Sequence, residues 1–151
     1  MASKKQILVV DDDNHVREIL RLFLERRGYR ISEAPNGYEA VEACRSNKFD
    51  LVIADIYMPG MDGIKFIEAL HKFSPETKVV AISGGEPCHF FTSSTQLNAA
   101  LYKGAFQHNE QAFAKNHSQG LVFKKKAHKS HHNKRLPVGK LLRRFTAGGD
   151  G

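Results

Sequence analysis

Three short apolar runs in this chain stop at polar side chains. Ile7-Leu8-Val9-Val10 runs into Asp11-Asp12-Asp13, Leu51-Val52-Ile53-Ala54 into Asp55, and Val79-Val80-Ala81-Ile82 into Ser83-Gly84-Gly85. Carboxylates gathered in one place repel and need a balancing charge. A hard divalent cation supplies it, and oxygen ligands with room left for water and phosphate suit Mg²⁺. A carboxylate beside such an ion can attack phosphorus and carry an aspartyl phosphate. A serine hydroxyl and the amides of a glycine-rich turn can hold phosphoryl oxygens. Asp55 is therefore the candidate nucleophile, Asp11 and Asp12 with Asp55 are candidate metal ligands, and Ser83 is a candidate phosphoryl contact. The residues after Asp55, Met58-Pro59-Gly60-Met61-Asp62-Gly63, form a turn that leads the chain away from it.

This chemistry requires the three runs to be neighbouring strands ending on one rim. Each run is apolar without alternation, the pattern of a strand buried on both faces of a parallel sheet. Helical patterns lie between them. Val16, Ile19, Leu20, Phe23 and Leu24 share one helix face, with Asp13 or Asn14 as its cap and Gly28 as its end. Tyr29 to Ala34 reads as a further strand. Tyr38 to Arg45 reads as a second helix with Ala40, Val41 and Cys44 inward, and Ile64, Ile67, Ala69 and Leu70 mark a third. Strand and helix in alternation give a doubly wound α/β fold, whose ligands sit beyond the carboxyl ends of the strands. The turn after the first strand is Asp-Asp-Asp-Asn-His, not a dinucleotide fingerprint.

At these residues the chain resembles the response-regulator receiver family of two-component signalling. "ILVVDDD", "DLVIADIYMPGMDG" and "VVAISGG" match its pattern in order and at its spacing. The match is strong over residues 5–86. The resemblance implies a five-stranded parallel sheet in the order 2-1-3-4-5. It also implies that Asp55 accepts a phosphoryl group from a sensor histidine kinase or phosphotransfer protein. Asp12 would bind Mg²⁺ directly, Asp11 would assist through water, and the backbone carbonyl of Tyr57 would complete the protein ligands. Ser83 would close on the phosphoryl group. A haloacid-type phosphatase would need a second aspartate where Tyr57 stands.

After Gly85 the pattern weakens. Thr95 to Ala105 still reads as a fourth helix. Phe106 to Glu110 falls where the fifth strand belongs, yet has no apolar run. The family's following Lys-Pro is replaced by Gln111-Ala112, and glutamine carries no charge. Leu121-Val122-Phe123-Lys124 is the second candidate for that strand and lysine. One codon choice for Gln111-Ala112-Phe113, CAA GCC TTT, yields Lys-Pro when shifted by one nucleotide, so a frameshifted C-terminus is one reading of the change. The fifth strand and last helix stay unassigned.

The charge also divides here. Residues 1–87 hold 12 Lys+Arg and 14 Asp+Glu, while residues 88–151 hold 11 and 2. We expect a receiver domain over 5–123 and a basic tail over 124–151, disordered or with a short helix at Val138 to Phe145. The run from Lys124 to Arg135 is a candidate nucleic-acid contact as well as a plain solvated tail. No apolar stretch is long enough to span a membrane, and "MASKKQILVV" is too short an apolar run for a signal peptide. A cytoplasmic protein with two reduced thiols, Cys44 and Cys88, is expected.

Overall fold

The computed structural model describes residues 3–83, 99–102 and 121–122, together with Arg143 and Thr146. Strand and helix alternate as β1 (Gln6–Val10), α1 (Asn14–Glu25), β2 (Arg30–Ala34), α2 (Gly37–Ser46), β3 (Leu51–Asp55), α3 (Gly63–Phe73) and β4 (Lys78–Ser83). Two further strands, β5 (Ala99–Tyr102) and β6 (Leu121–Val122), complete one sheet in the order β2-β1-β3-β4-β5-β6. Every pair from β2 to β5 is parallel.

Each helix starts at a side chain suited to cap it. The Asp13 carboxylate accepts from the His15 and Val16 amides, Asn36 accepts from Glu39, and Asp62 accepts from Lys65. These contacts satisfy amide groups that a first helical turn leaves without partners. Beyond the end of α1, Gly28 takes the left-handed conformation (φ 87°), and the chain reverses into β2.

The period of two along each strand sorts the core into two layers. Ile7 and Val9 of β1, Leu51 and Ile53 of β3, and Val80 and Ile82 of β4 face α1, packing with Val16, Leu20, Phe23 and Leu24. Leu8, Val10, Val52, Ala54 and Val79 face the other way, against Ala40 and Val41 of α2 and Phe66, Ile67 and Leu70 of α3. The strands can be apolar throughout because both faces are covered. Their starts are tied as well: Asp50 accepts from the Gln6 amide at 2.8 Å and from Lys5 Nζ at 3.1 Å.

One expected element is different. Ala99–Tyr102, inside the expected fourth helix, is a strand pairing with Val80–Ser83. The open edge of β4 presents backbone groups that need partners, and this demand outweighs the modest helical preference of two alanines and a leucine. The fifth strand thus precedes Phe106–Glu110, which lies outside the described residues. Leu121–Val122 is a strand, but it runs antiparallel on β5, outside the parallel set. Of the expected final helix, Arg143 is helical, as is Thr146 just beyond it.

Cys44 is half-buried, and burial pushes its thiol up to about 11. The nucleophilic thiolate is then scarce at neutral pH. Iodoacetamide should label Cys44 much more slowly than free cysteine at pH 8, and the rate should climb as pH approaches 11.

Thr146 is buried, and its hydroxyl lies 3.0 Å from the Tyr29 hydroxyl, tying the C-terminal region to the start of β2. Tyr29→Phe is expected to cost about 1 kcal/mol in urea unfolding, the usual worth of one such bond. A double-mutant cycle with Thr146→Ala should return most of that as coupling; strictly additive effects would show that the contact contributes nothing in solution.

Candidate functional site

Strand register builds the site. Ile7 lies beside Leu51, and the pairing continues to Val10 beside Ala54. One step further sets Asp11 next to Asp55. Both residues keep the parity of the α1-facing layer, so the two carboxylates emerge on the same side of the rim. Asp12 follows at the turn into α1. Carboxylate oxygens of Asp11, Asp12 and Asp55 all lie within 4.8 Å of one another, with Asp11 and Asp55 fully buried and Asp12 exposed.

Local hydrogen bonds aim the two buried groups. The Asp13 amide donates to Asp11 Oδ1 at 2.8 Å, and the Tyr57 amide donates to Asp55 Oδ1 at 3.1 Å. Each is an Asx turn, in which a carboxylate takes the amide two residues on. Two ionised carboxylates at this separation repel by roughly 3–4 kcal/mol at an effective dielectric near 20. That is a large share of a domain's whole stability. A cation placed among them would offset that repulsion. Three carboxylates, with neither His nor Cys and with one side open to water, fit a hard divalent ion.

The loop after Asp55 is held by packing. Met58 is buried, and Met61 lies against the backbone of Gly37. Gly60 takes a positive φ of 79°. The Gly63 amide donates to the Ile56 carbonyl at 2.9 Å. A Cβ at Gly63 would run into the Asp55 carbonyl oxygen, so α3 begins directly against the backbone that carries the carboxylate.

Asp11, Asp12 and Asp55 are thus brought together as expected. Tyr57 stands two residues beyond Asp55 with its side chain 53% exposed. Ser83 ends β4, one residue past Ile82, the neighbour of Asp55 in the sheet. Its side chain lies outside the described residues, as do Gln111 and the run Lys124–Arg135. His15 is exposed on α1. Two residues that sequence reasoning passed over also shape the site. On sequence alone Gly63 reads only as part of a turn. Arg17 reaches the Asp11 carbonyl with its Nη1 at 2.6 Å, and its only sequence signal is a position six residues on, in the first turns of α1.

The model of the response regulator receiver domain matches residues 7–104. The chain belongs to the response regulator receiver family. Over 84 residues this receiver is 37% identical to the transcriptional regulatory protein ResD of Bacillus subtilis, covering 56% of this chain and 35% of ResD. The chain spans about a third of the length of the curated relatives it matches. Among solved structures, the response regulator TrrA from Thermotoga maritima in complex with Mg(2+)-BeF is 39% identical. That likeness covers 54% of this chain and 71% of the other, with a TM-score of 0.53. The complex of histidine kinase ThkA with TrrA gives 32% identity, 74% and 93% coverage and a TM-score of 0.62.

Gly63→Ala is expected to destabilise the receiver by about 1–3 kcal/mol, the usual cost of overpacking, read from urea midpoints. An unchanged midpoint would mean that the start of α3 gives way without displacing Asp55.

Proposed function

We propose that this receiver takes a phosphoryl group onto Asp55 from the phosphohistidine of a sensor histidine kinase or phosphotransfer protein. Mg²⁺ would be held by Asp11, Asp12, Asp55 and the backbone carbonyl of Tyr57. The observation that carries this reading is the meeting of three carboxylates on one rim, with Asp55 buried at the end of its strand. The likeness to TrrA, solved with Mg(2+)-BeF and with a histidine kinase, supports it.

When bound, Mg²⁺ offsets the charge of the carboxylates and of the incoming phosphoryl oxygens. The chain's own groups do the rest. The Tyr57 amide fixes the rotation of the Asp55 carboxylate. A carboxylate oxygen forms a bond to phosphorus as the P–N bond to the donor imidazole breaks, and the imidazole leaves with that electron pair. Ser83 donates its hydroxyl to a phosphoryl oxygen.

In this reading the protein is a signalling switch of the cytoplasm, with slow self-phosphorylation and loss of phosphate alongside transfer from its donor. No helix among the described residues is long and apolar enough to cross a membrane. The receiver occupies residues 5–123, and 124–151 is a basic tail. A nucleic-acid output fits ResD's naming as a transcriptional regulatory protein, and the basic run Lys124–Arg135 is this chain's candidate contact.

Incubation with acetyl phosphate and Mg²⁺ should add one phosphoryl group to the peptide containing Asp55. EDTA or Asp55→Asn should abolish it, and Asp12→Ala should raise the Mg²⁺ concentration required. A stable adduct in the Asp55→Asn protein would overturn the assignment.

A further inference from the structure

A guanidinium group sits directly behind the carboxylate rim. Arg17, in the first turns of α1, is largely buried, with 14% of its side chain exposed. Its Nη1 donates to the backbone carbonyl of Asp11 at 2.6 Å and its Nη2 to Asn14 Oδ1 at 3.0 Å. Its Nε lies 3.4 Å from Glu33 Oε1 on β2. Glu33 also meets Arg21 Nε at 3.3 Å, and Arg21 pairs with Glu25 at 3.2 Å. A chain of charge thus runs from the site along α1, with one of its links on β2.

The Asp11 carbonyl belongs to the peptide unit joining Asp11 to Asp12. That unit is planar, so fixing its oxygen fixes the direction in which the Asp12 nitrogen and Cα leave. Asp11 is already anchored by the β1 register and by its amide, which donates to the Ala34 carbonyl at 3.2 Å. Asp12 is exposed, and among the described residues nothing packs on it to aim it as the sheet aims Asp11. A charge-assisted bond of 2.6 Å is short and strong for its kind. The rigid guanidinium fork can serve a carbonyl and a carboxylate together, which an ammonium point charge does far less well.

We infer that Arg17 is a positioning residue for the cation site, clamping the Asp11–Asp12 peptide between α1 and Glu33 of β2 so that the exposed Asp12 carboxylate converges with Asp11 and Asp55. The inference rests on the metal-site reading above. It goes beyond that reading by giving the geometry of the site to a residue that touches neither metal nor phosphoryl group.

Mg²⁺ titrations by calorimetry on the parent, Arg17→Ala, Arg17→Lys and Arg21→Ala test it. Removing a group that orients a metal ligand typically weakens affinity about 10- to 100-fold, and a loss of that size is expected for Arg17→Ala. Arg17→Lys should recover little. Arg21→Ala breaks the Glu33 and Glu25 pairs but does not reach Asp11, so it should bind Mg²⁺ as the parent does. Without metal, the Asp12 and Asp13 amide resonances should move in Arg17→Ala and stay in place in Arg21→Ala. Should Arg17→Ala fail to fold, Glu33→Gln, which leaves α1 intact, should weaken Mg²⁺ binding in the same direction. Parent-like affinity in Arg17→Ala, or in Glu33→Gln where that variant stands in for it, overturns the inference while leaving the metal site standing. Equal losses in Arg17→Ala and Arg21→Ala would reduce Arg17 to a merely structural role and also overturn it. A parent that binds no Mg²⁺ defeats the metal-site reading and this inference with it.

Discussion

The convergence of two buried carboxylates on one rim is the constraint around which this molecule is arranged. Asp11 and Asp55 lie side by side because β1 and β3 pair in a fixed parallel register. A slip of one residue would turn one of them into the opposite layer of the core. The register in turn is held by the packing of alternate side chains, against α1 on one face and against α2 and α3 on the other. The pair is thus held in place by the favourable burial of 25 apolar side chains among the described residues. Stability in the core and tension at the rim are two ends of the same strands.

How the tension is contained explains the local detail. Each buried carboxylate takes an amide two residues ahead, so the turn leaving each strand is shaped by the acid that precedes it. Asp13 then caps α1, and Asp62 caps α3. Acidic residues near this rim therefore have two distinct tasks. Asp11, Asp12 and Asp55 converge, whereas Asp13 and Asp62 look away into helix amides.

Much of this was legible in the sequence because the signals were local. The three apolar runs of β1, β3 and β4 and the helical spacing in α1 set the layers, and the polar residue closing each of those strands marked the rim. Asp13 announced α1 by type and position. The sequence was silent where the decisive contact is long-range. Gly63 reads as an ordinary turn glycine until α3 is seen against the Asp55 carbonyl. Arg17 carries no sequence signal beyond its place in α1, and its role shows only once Glu33 and the Asp11 carbonyl are placed around it. Ala99–Tyr102 was misjudged as helix because its composition fits a helix, while the empty edge of β4 that recruits it is not written in those residues.

The absence of a side chain at Gly63 has a mechanical meaning. The first residue of α3 and the last residue of β3 share a surface with no slack between them. The Gly63 amide also holds the Ile56 carbonyl, which closes the loop on itself like a buckle. Any side chain added at position 63 would have to push on the backbone that carries Asp55, so the spacing between β3 and α3 is set by an atom that is missing.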